Sequence, residues 1–213
     1  SIEYITWIVD PKKDPSYSAN YKNKLKLVTS TSEITDAHFI YAGTTGKDTI
    51  TISKGLSINS SVAQWGEIYL DGGDDTLNLP DTFRYYAYGG DGNDIYVWNM
   101  GDGNDIIYEG GGAADQIELG AGITTNDVRL WQDSNRTLYV HIGDEHIEVF
   151  RHFDDEYREV ETLTFNDGTT LDLLNNLTFV GHYTSEHGYG SDNDDVIYGL
   201  GGLDRLYGRD GND

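Results

Sequence analysis

The chain contains no cysteine, three prolines and one methionine, and its 14 lysines and arginines stand against 37 aspartates and glutamates. Without cysteine, neither a disulfide framework nor a thiolate zinc site can hold it together. The shortage of basic side chains argues against nucleic acid and against an anionic membrane surface, because both are bound through Lys and Arg. No apolar run approaches the roughly 18 residues of a membrane-spanning helix, so membrane insertion is not expected. Ser1-Ile2-Glu3-Tyr4 does not open a charged-then-apolar export signal. What remains is 37% apolar content over 213 residues, a thin core, and a net charge of −23 that makes the compact state repel itself. Bound cations with oxygen ligands would relieve both problems.

Glycine is abundant and runs such as Thr137-Leu138-Tyr139-Val140-His141-Ile142 alternate, so the expected class is all-β. Residues 1–38 carry Asp10-Pro11, Asp14-Pro15 and a basic patch at Lys22, Lys24 and Lys26. Loops at Gly43 to Asp48 and at Asp71 to Asp75 read equally as ordinary turns and as degenerate metal loops.

The clearest signal is an internal period. Gly89-Gly90-Asp91-Gly92-Asn93-Asp94-Ile95-Tyr96-Val97 fits the nonapeptide G-G-x-G-x-D-x-U-x, U being large and apolar. Met100-Gly101-Asp102-Gly103-Asn104-Asp105-Ile106-Ile107-Tyr108 and Gly110-Gly111-Gly112-Ala113-Ala114-Asp115-Gln116-Ile117-Glu118 follow, each with one departure. From Gly190 a second block places Asp195, Asp204 and Asp213 at an unbroken spacing of nine. The chain stops at Gly211-Asn212-Asp213, inside a repeat, and is expected to be a piece of a longer protein. Between the blocks, Val128 to Trp131, Thr137 to Ile142 and His146 to Phe150 read as a meander, and Asn166-Asp167-Gly168 as a hairpin turn.

In each repeat the first six residues turn the chain and the last three make a short strand that points Tyr96, Ile107 or Ile117 inward. Two repeats complete one coil, so alternate loops stack and bring their sixth-position aspartates together. Ca²⁺ accepts roughly 6–8 oxygens, which carboxylates and loop carbonyls supply, whereas Mg²⁺ prefers a tight octahedron and keeps its waters. The expected metal residues are Asp71, Asp75, Gly89, Asp91, Asn93, Asp94, Gly101, Asp102, Gly103, Asp105, Gly110, Gly112, Asp115, Gly190, Asp192, Asp195, Asp204 and Asp213. The expected partners are Asp94 with Asp115, Asp75 with Asp105 and Asp195 with Asp213, leaving Asp204 alone.

Residues 89–118 and 190–213 resemble the haemolysin-type calcium-binding repeats of RTX (repeats in toxin) proteins, which type I systems export from Gram-negative bacteria. Residues 119–172 look like the haemolysin-related segment that follows such repeats. The resemblance implies a parallel β-roll combined here with an antiparallel meander or sandwich, calcium as the cofactor, and an extracellular or cell-surface location. It implies a chain that stays unfolded until it meets calcium outside the cell. The expected organisation is a calcium-dependent β-rich unit over 1–186, with the irregular block at 89–118 and the haemolysin-related segment at 119–175, then the start of a regular roll at 187–213.

Catalysis is not expected, since neither H-E-x-x-H nor G-x-S-x-G occurs. His146 and His152 read as surface histidines. Sixteen tyrosines and four tryptophans, with Tyr85, Tyr86 and Tyr88 just before the first repeat and Trp98 inside it, fit either flanks that cap the strands or a groove for a peptide or glycan. Two functions follow: a monomeric, non-enzymatic, calcium-dependent binding segment of a large adhesin, or the folding and secretion segment of a toxin or exoenzyme with its catalytic part elsewhere.

Overall fold

The computed structural model describes residues 25–27, 32–34, 40–52, 65–79 and 84–213, and these form strands, turns and no helix. Asp10-Pro11, Asp14-Pro15, Lys22 and Lys24 lie outside the described residues.

Over the first half, successive strands alternate between two sheets. One sheet receives β1 (Leu25–Leu27), β3 (Ile40–Ala42), β5 (Trp65–Tyr69), β7 (Arg84–Tyr88) and β9 (Asp105–Tyr108). The other receives β2 (Ser32–Ile34), β4 (Thr49–Ile52), β6 (Thr76–Asn78), β8 (Ile95–Trp98) and β10 (Gln116–Leu119). From β3 onward each strand lies parallel to the one two places earlier, so the chain advances by one coil for every two strands.

The alternating pattern decides what lies inside. In register, Ile50, Leu77, Tyr96 and Ile117 stack in one column, facing Ile68, Ala87 and Ile107 in the other sheet, and none is more than 1% exposed. Burying each large side chain contributes about 1.5–3 kcal/mol. The turns between coils approach closely: Gly90 (φ +100°) and Gly92 (φ +128°) take left-handed backbone angles, and a Cβ on either would strike the carbonyl of Asp71 or Gly73.

The expected meander is present as β11 (Val128–Gln132), β12 (Leu138–Ile142) and β13 (Glu145–Val149), antiparallel to one another, with β13 docked in parallel on β9. Next, β14 (Thr162–Thr164) extends the second sheet beside β10, and β15 (Thr170–Asp172) folds back on it through the expected Asn166-Asp167-Gly168 turn, Gly168 lying at φ +85°. Finally β16 (Thr178–Val180) joins β11, β18 (Val196–Tyr198) joins β16, and β17 (His187–Tyr189) pairs with β19 (Arg205–Tyr207). The pairing of β16 with β18 spans the expected division at residues 186 and 187. The Trp131 ring also packs where a side chain at Gly188 would sit.

Candidate metal centre

Each coil places an acid immediately before a strand, then an outward residue, then an inward apolar one. Asp48-Thr49-Ile50, Asp75-Thr76-Leu77, Asp94-Ile95-Tyr96, Asp115-Gln116-Ile117 and Glu161-Thr162-Leu163 all obey this order. The backbone fixes the acids in a line. Carbonyls of Asp48, Asp75, Asp94 and Asp115 accept the N–H that opens the next coil's strand, at Thr76, Ile95, Gln116 and Thr162. In return, the N–H of Asp48 donates to Asp75 Oδ1 (2.6 Å), that of Asp75 to Asp94 Oδ1 (2.9 Å), that of Asp94 to Asp115 Oδ1 (2.7 Å) and that of Asp115 to Glu161 Oε2 (2.5 Å). The result is a buried ladder of carboxylates along one edge of the spiral.

The second oxygens differ from rung to rung. Asp48 Oδ2 accepts both the N–H and the hydroxyl of Thr44. Asp195 Oδ2 likewise accepts the N–H and hydroxyl of Ser191. Asp75 Oδ2 and Asp94 Oδ2 are buried and receive no hydrogen bond. The residues four places before them, Asp71 (φ +75°) and Gly90, offer no hydroxyl. An unmatched buried acceptor costs about 1–3 kcal/mol, so these two oxygens need a partner.

Beside Asp94 the ladder thickens. One carboxylate oxygen from each of Asp94, Glu109 and Asp115 lies within 4.8 Å of the others, and all three side chains are buried. Among the described residues no Lys or Arg forms an ion pair with them. Burial pushes Asp94 up to about 6 and Asp115 up to about 7, with Glu161 and Asp94 adding repulsion at Asp115. Asp75 rises to about 7, mainly through burial and then through repulsion by Asp94 and Asp48. Glu109 is driven well above the usual carboxylate range by burial and then by Asp115. Carboxylates in this condition take up a proton or a cation. The donor set holds only oxygen, and within it Asp94 carries an orphaned oxygen, which suits a hard cation.

Several expected metal residues lie away from this cluster. Asp75 pairs with Asp94 rather than with Asp105: one coil separates Asp75 from Asp94, whereas Asp105 opens a strand of the opposite sheet and accepts the N–H of Tyr85. Gly101, Asp102 and Gly103 belong to that same opposite edge. There Asp102 caps the Asn99 N–H, the Gly101 N–H donates to Glu145, and the Gly103 carbonyl accepts from the Trp98 indole. Asp192 is exposed and forms an ion pair with Arg136 at 2.8 Å. Asp91 is exposed and donates its N–H to the Asp71 carbonyl, and Asn93 lies between Asp74 and Ala113 in a separate outer row. Gly190 sits against the Gly208 carbonyl and Asp195.

The expected neighbours Asp94 with Asp115 and Asp195 with Asp213 do stack, the second through the Asp195 N–H at 3.0 Å. Asp204 is not alone, because its Oδ1 accepts the N–H of Glu186, which occupies the acid position one coil earlier. Glu109, Glu161 and Glu186 were not among the expected metal residues, and the Asp48 loop reads in the sequence equally as a turn and as a metal loop. The acid–x–apolar order marks Asp48 and Glu161 in the sequence once Glu is allowed in place of Asp.

Glu109 corrects an alignment. Tyr88 is in register with Tyr108, so Glu109, not Gly110, occupies the first position of its loop, matching Gly89, and Gly110 packs on Gly90. Of the aromatic residues, Tyr85 and Trp98 are each 1% exposed and belong to the core, so neither can line a surface groove. Tyr88 lies on the outer face, stacked between Tyr69 (4.4 Å) and Tyr108 (4.7 Å), and Phe150 continues the row. Tyr86 is beside it under Arg84. His152 is fully buried, not a surface residue: its Nδ1 accepts the Val160 N–H and its Nε2 meets the Leu173 carbonyl. No family model and no curated protein matches the chain.

Proposed function

We propose that the chain is a non-enzymatic, extracellular calcium-binding coil of the RTX β-roll type, in which Ca²⁺ neutralises the stacked carboxylates so that ion binding and folding are one event. The carrying observation is the pair of buried, hydrogen-bond-free oxygens on Asp75 and Asp94, in a ladder with no cationic partner among the described residues. The nonapeptide at 89–97 and the spacing of nine at Asp195, Asp204 and Asp213 support the same reading. Within a large type I-secreted adhesin, the outer aromatic row at Tyr69, Tyr88, Tyr108 and Phe150 would offer rigid surface to a peptide or glycan. Among the described residues no helix is long and apolar enough to cross a membrane.

Circular dichroism and thermal melting, in EDTA and then in excess Ca²⁺, test the proposal. Each ion bound at a thousandfold excess over its Kd adds about 4 kcal/mol, so the calcium-loaded chain melts cooperatively at a far higher temperature. Identical melts in the two conditions would overturn the reading.

A further inference from the structure

We infer that Glu109 turns the Asp94–Asp115 rung into the strongest cation site among the described residues, a three-carboxylate site that fills before the others there. The inference rests on the calcium reading and adds what distinguishes one rung from the rest.

Register supplies the first argument. The strands that end at Ala42, Tyr69, Tyr88 and Tyr108 are in line, so the residues that follow them, Gly43, Leu70, Gly89 and Glu109, occupy one structural position. In the C-terminal block Tyr189 and Tyr207 are in line, and glycine follows each, at 190 and 208. Among these, only Glu109 brings a charge.

Space is the second argument. Because Gly89 has no side chain, a chamber is left above Glu109, and a Cβ at Gly89 would collide with both Glu109 oxygens and the Tyr96 hydroxyl. Glu109 fills that chamber and is held there. Its Oε1 accepts the Tyr96 hydroxyl and its Oε2 accepts the Gly110 N–H at 3.0 Å, so the carboxylate is aimed before any ion arrives. Partners that orient a ligand in this way sharpen metal affinity.

The third observation does not involve Glu109. Asp94 is 0% exposed and its Oδ2 has no hydrogen-bond partner. Three buried carboxylates from two stacked loops thus lie together, one of them carrying an unmatched oxygen, in surroundings too dry to screen their repulsion. Among the described residues the other rungs have fewer acids within reach or, at Asp48 and Asp195, already satisfy the second oxygen with a threonine or serine. Affinity for Ca²⁺ rises with the number of charged oxygens that a rigid site presents.

The test combines calcium calorimetry with Tb³⁺ luminescence excited through tyrosine, on the wild-type chain, E109Q, E109G and Y96F. Wild type should show one binding class tighter than the rest. E109Q and E109G should weaken that first class by at least about tenfold while the weaker sites and calcium-dependent melting remain. E109G also restores the residue found at 89, so it guards against a folding defect peculiar to the glutamine. Y96F removes the hydroxyl that aims Glu109, so it should weaken the first class and lose part of the sensitised emission. A folded E109G that binds its first ion as tightly as wild type overturns the inference. An E109Q chain that is unfolded with and without calcium also overturns it, because it assigns Glu109 to packing. A wild-type chain that binds no calcium instead overturns the calcium reading itself.

Discussion

In the C-terminal block Asp195 receives the N–H and hydroxyl of Ser191 on one oxygen, at 2.6 and 2.8 Å, and the N–H of Leu177 on the other. In the earlier block Asp94 receives the N–H of Asp75 on Oδ1 and nothing on Oδ2. The two acids hold the same place in the coil, before a strand and against the next rung. What separates them is the residue four positions earlier, a serine in one case and a left-handed glycine in the other. Where a hydroxyl is available, the protein satisfies its own carboxylate. Where it is not, the charge is left to an outside cation or a proton. The rungs with Thr44 or Ser191 four places before the acid are therefore the more self-sufficient ones. The ladder spacings are 27, 19 and 21 residues from Asp48 through Asp75 and Asp94 to Asp115, and within that stretch Asp75 and Asp94 carry the bare oxygens.

The sharpest way to break this comparison is to neutralise one acid in each block. Asp94→Asn keeps an acceptor for the Asp75 N–H while removing a buried charge. In EDTA it should stabilise the chain by about 1–3 kcal/mol. In excess calcium it should destabilise it by about 4 kcal/mol, the contribution of one filled site. Asp195→Asn should move stability less in both conditions, and chemical denaturation of the two variants would show the contrast. Equal responses would erase the distinction between the blocks.

A pH series comes next in size. Without metal, the folded chain holds protons on Asp75 and Asp115 up to about 7 and on Asp94 up to about 6, well above the ordinary 3.8. Their contribution is fully present below 3.8 and is lost as pH rises through 6 to 7. His141 and His152, held near 4 chiefly by burial, work in the opposite sense: their contribution is present above 6.5 and is lost as pH falls toward 4. The metal-free melting temperature should therefore rise as pH is lowered from above 7 to about 6.5, then rise more slowly as the two histidines offset part of what the three acids contribute. With calcium bound the trend should reverse, since protons compete with the ion for the same carboxylates as pH falls. Melts across pH with and without EDTA check both signs.

Ser191→Ala is the smallest of these changes. It removes one donor from Asp195 and should cost about 1 kcal/mol in EDTA. Calcium should recover part of that loss, which makes the serine-capped rung behave more like the orphaned ones. A loss that is the same with and without calcium would count against the idea that hydroxyl and cation substitute for each other.

Much of the architecture was legible in the chain. The alternation around Tyr96 and Ile117 and the strand-forming runs at 128–150 gave the inward columns and the meander, because strand periodicity is a local property. The Asp167-Gly168 turn was legible for the same reason. Asp75, Asp94 and Asp115 were legible as candidates, and Asp115 as the neighbour of Asp94, but the neighbour of Asp75 was not. Pairing Asp75 with Asp105 failed because coils differ in length, and only the sheet register shows which loops lie on one edge.

Composition alone determined that this chain lacks disulfides and must cope with a net charge of −23, and the repeat alone determined where acids alternate with inward apolar residues. The tertiary structure decided which of those acids are matched. It set Thr44 and Ser191 against their carboxylates and left Asp75 and Asp94 with bare oxygens. It also brought Glu109 into the space beside Asp94 that Gly89 leaves open. The physical reason is that a hydrogen bond or a cation site depends on distances between residues about 20 positions apart, and those distances exist only once the coils are stacked.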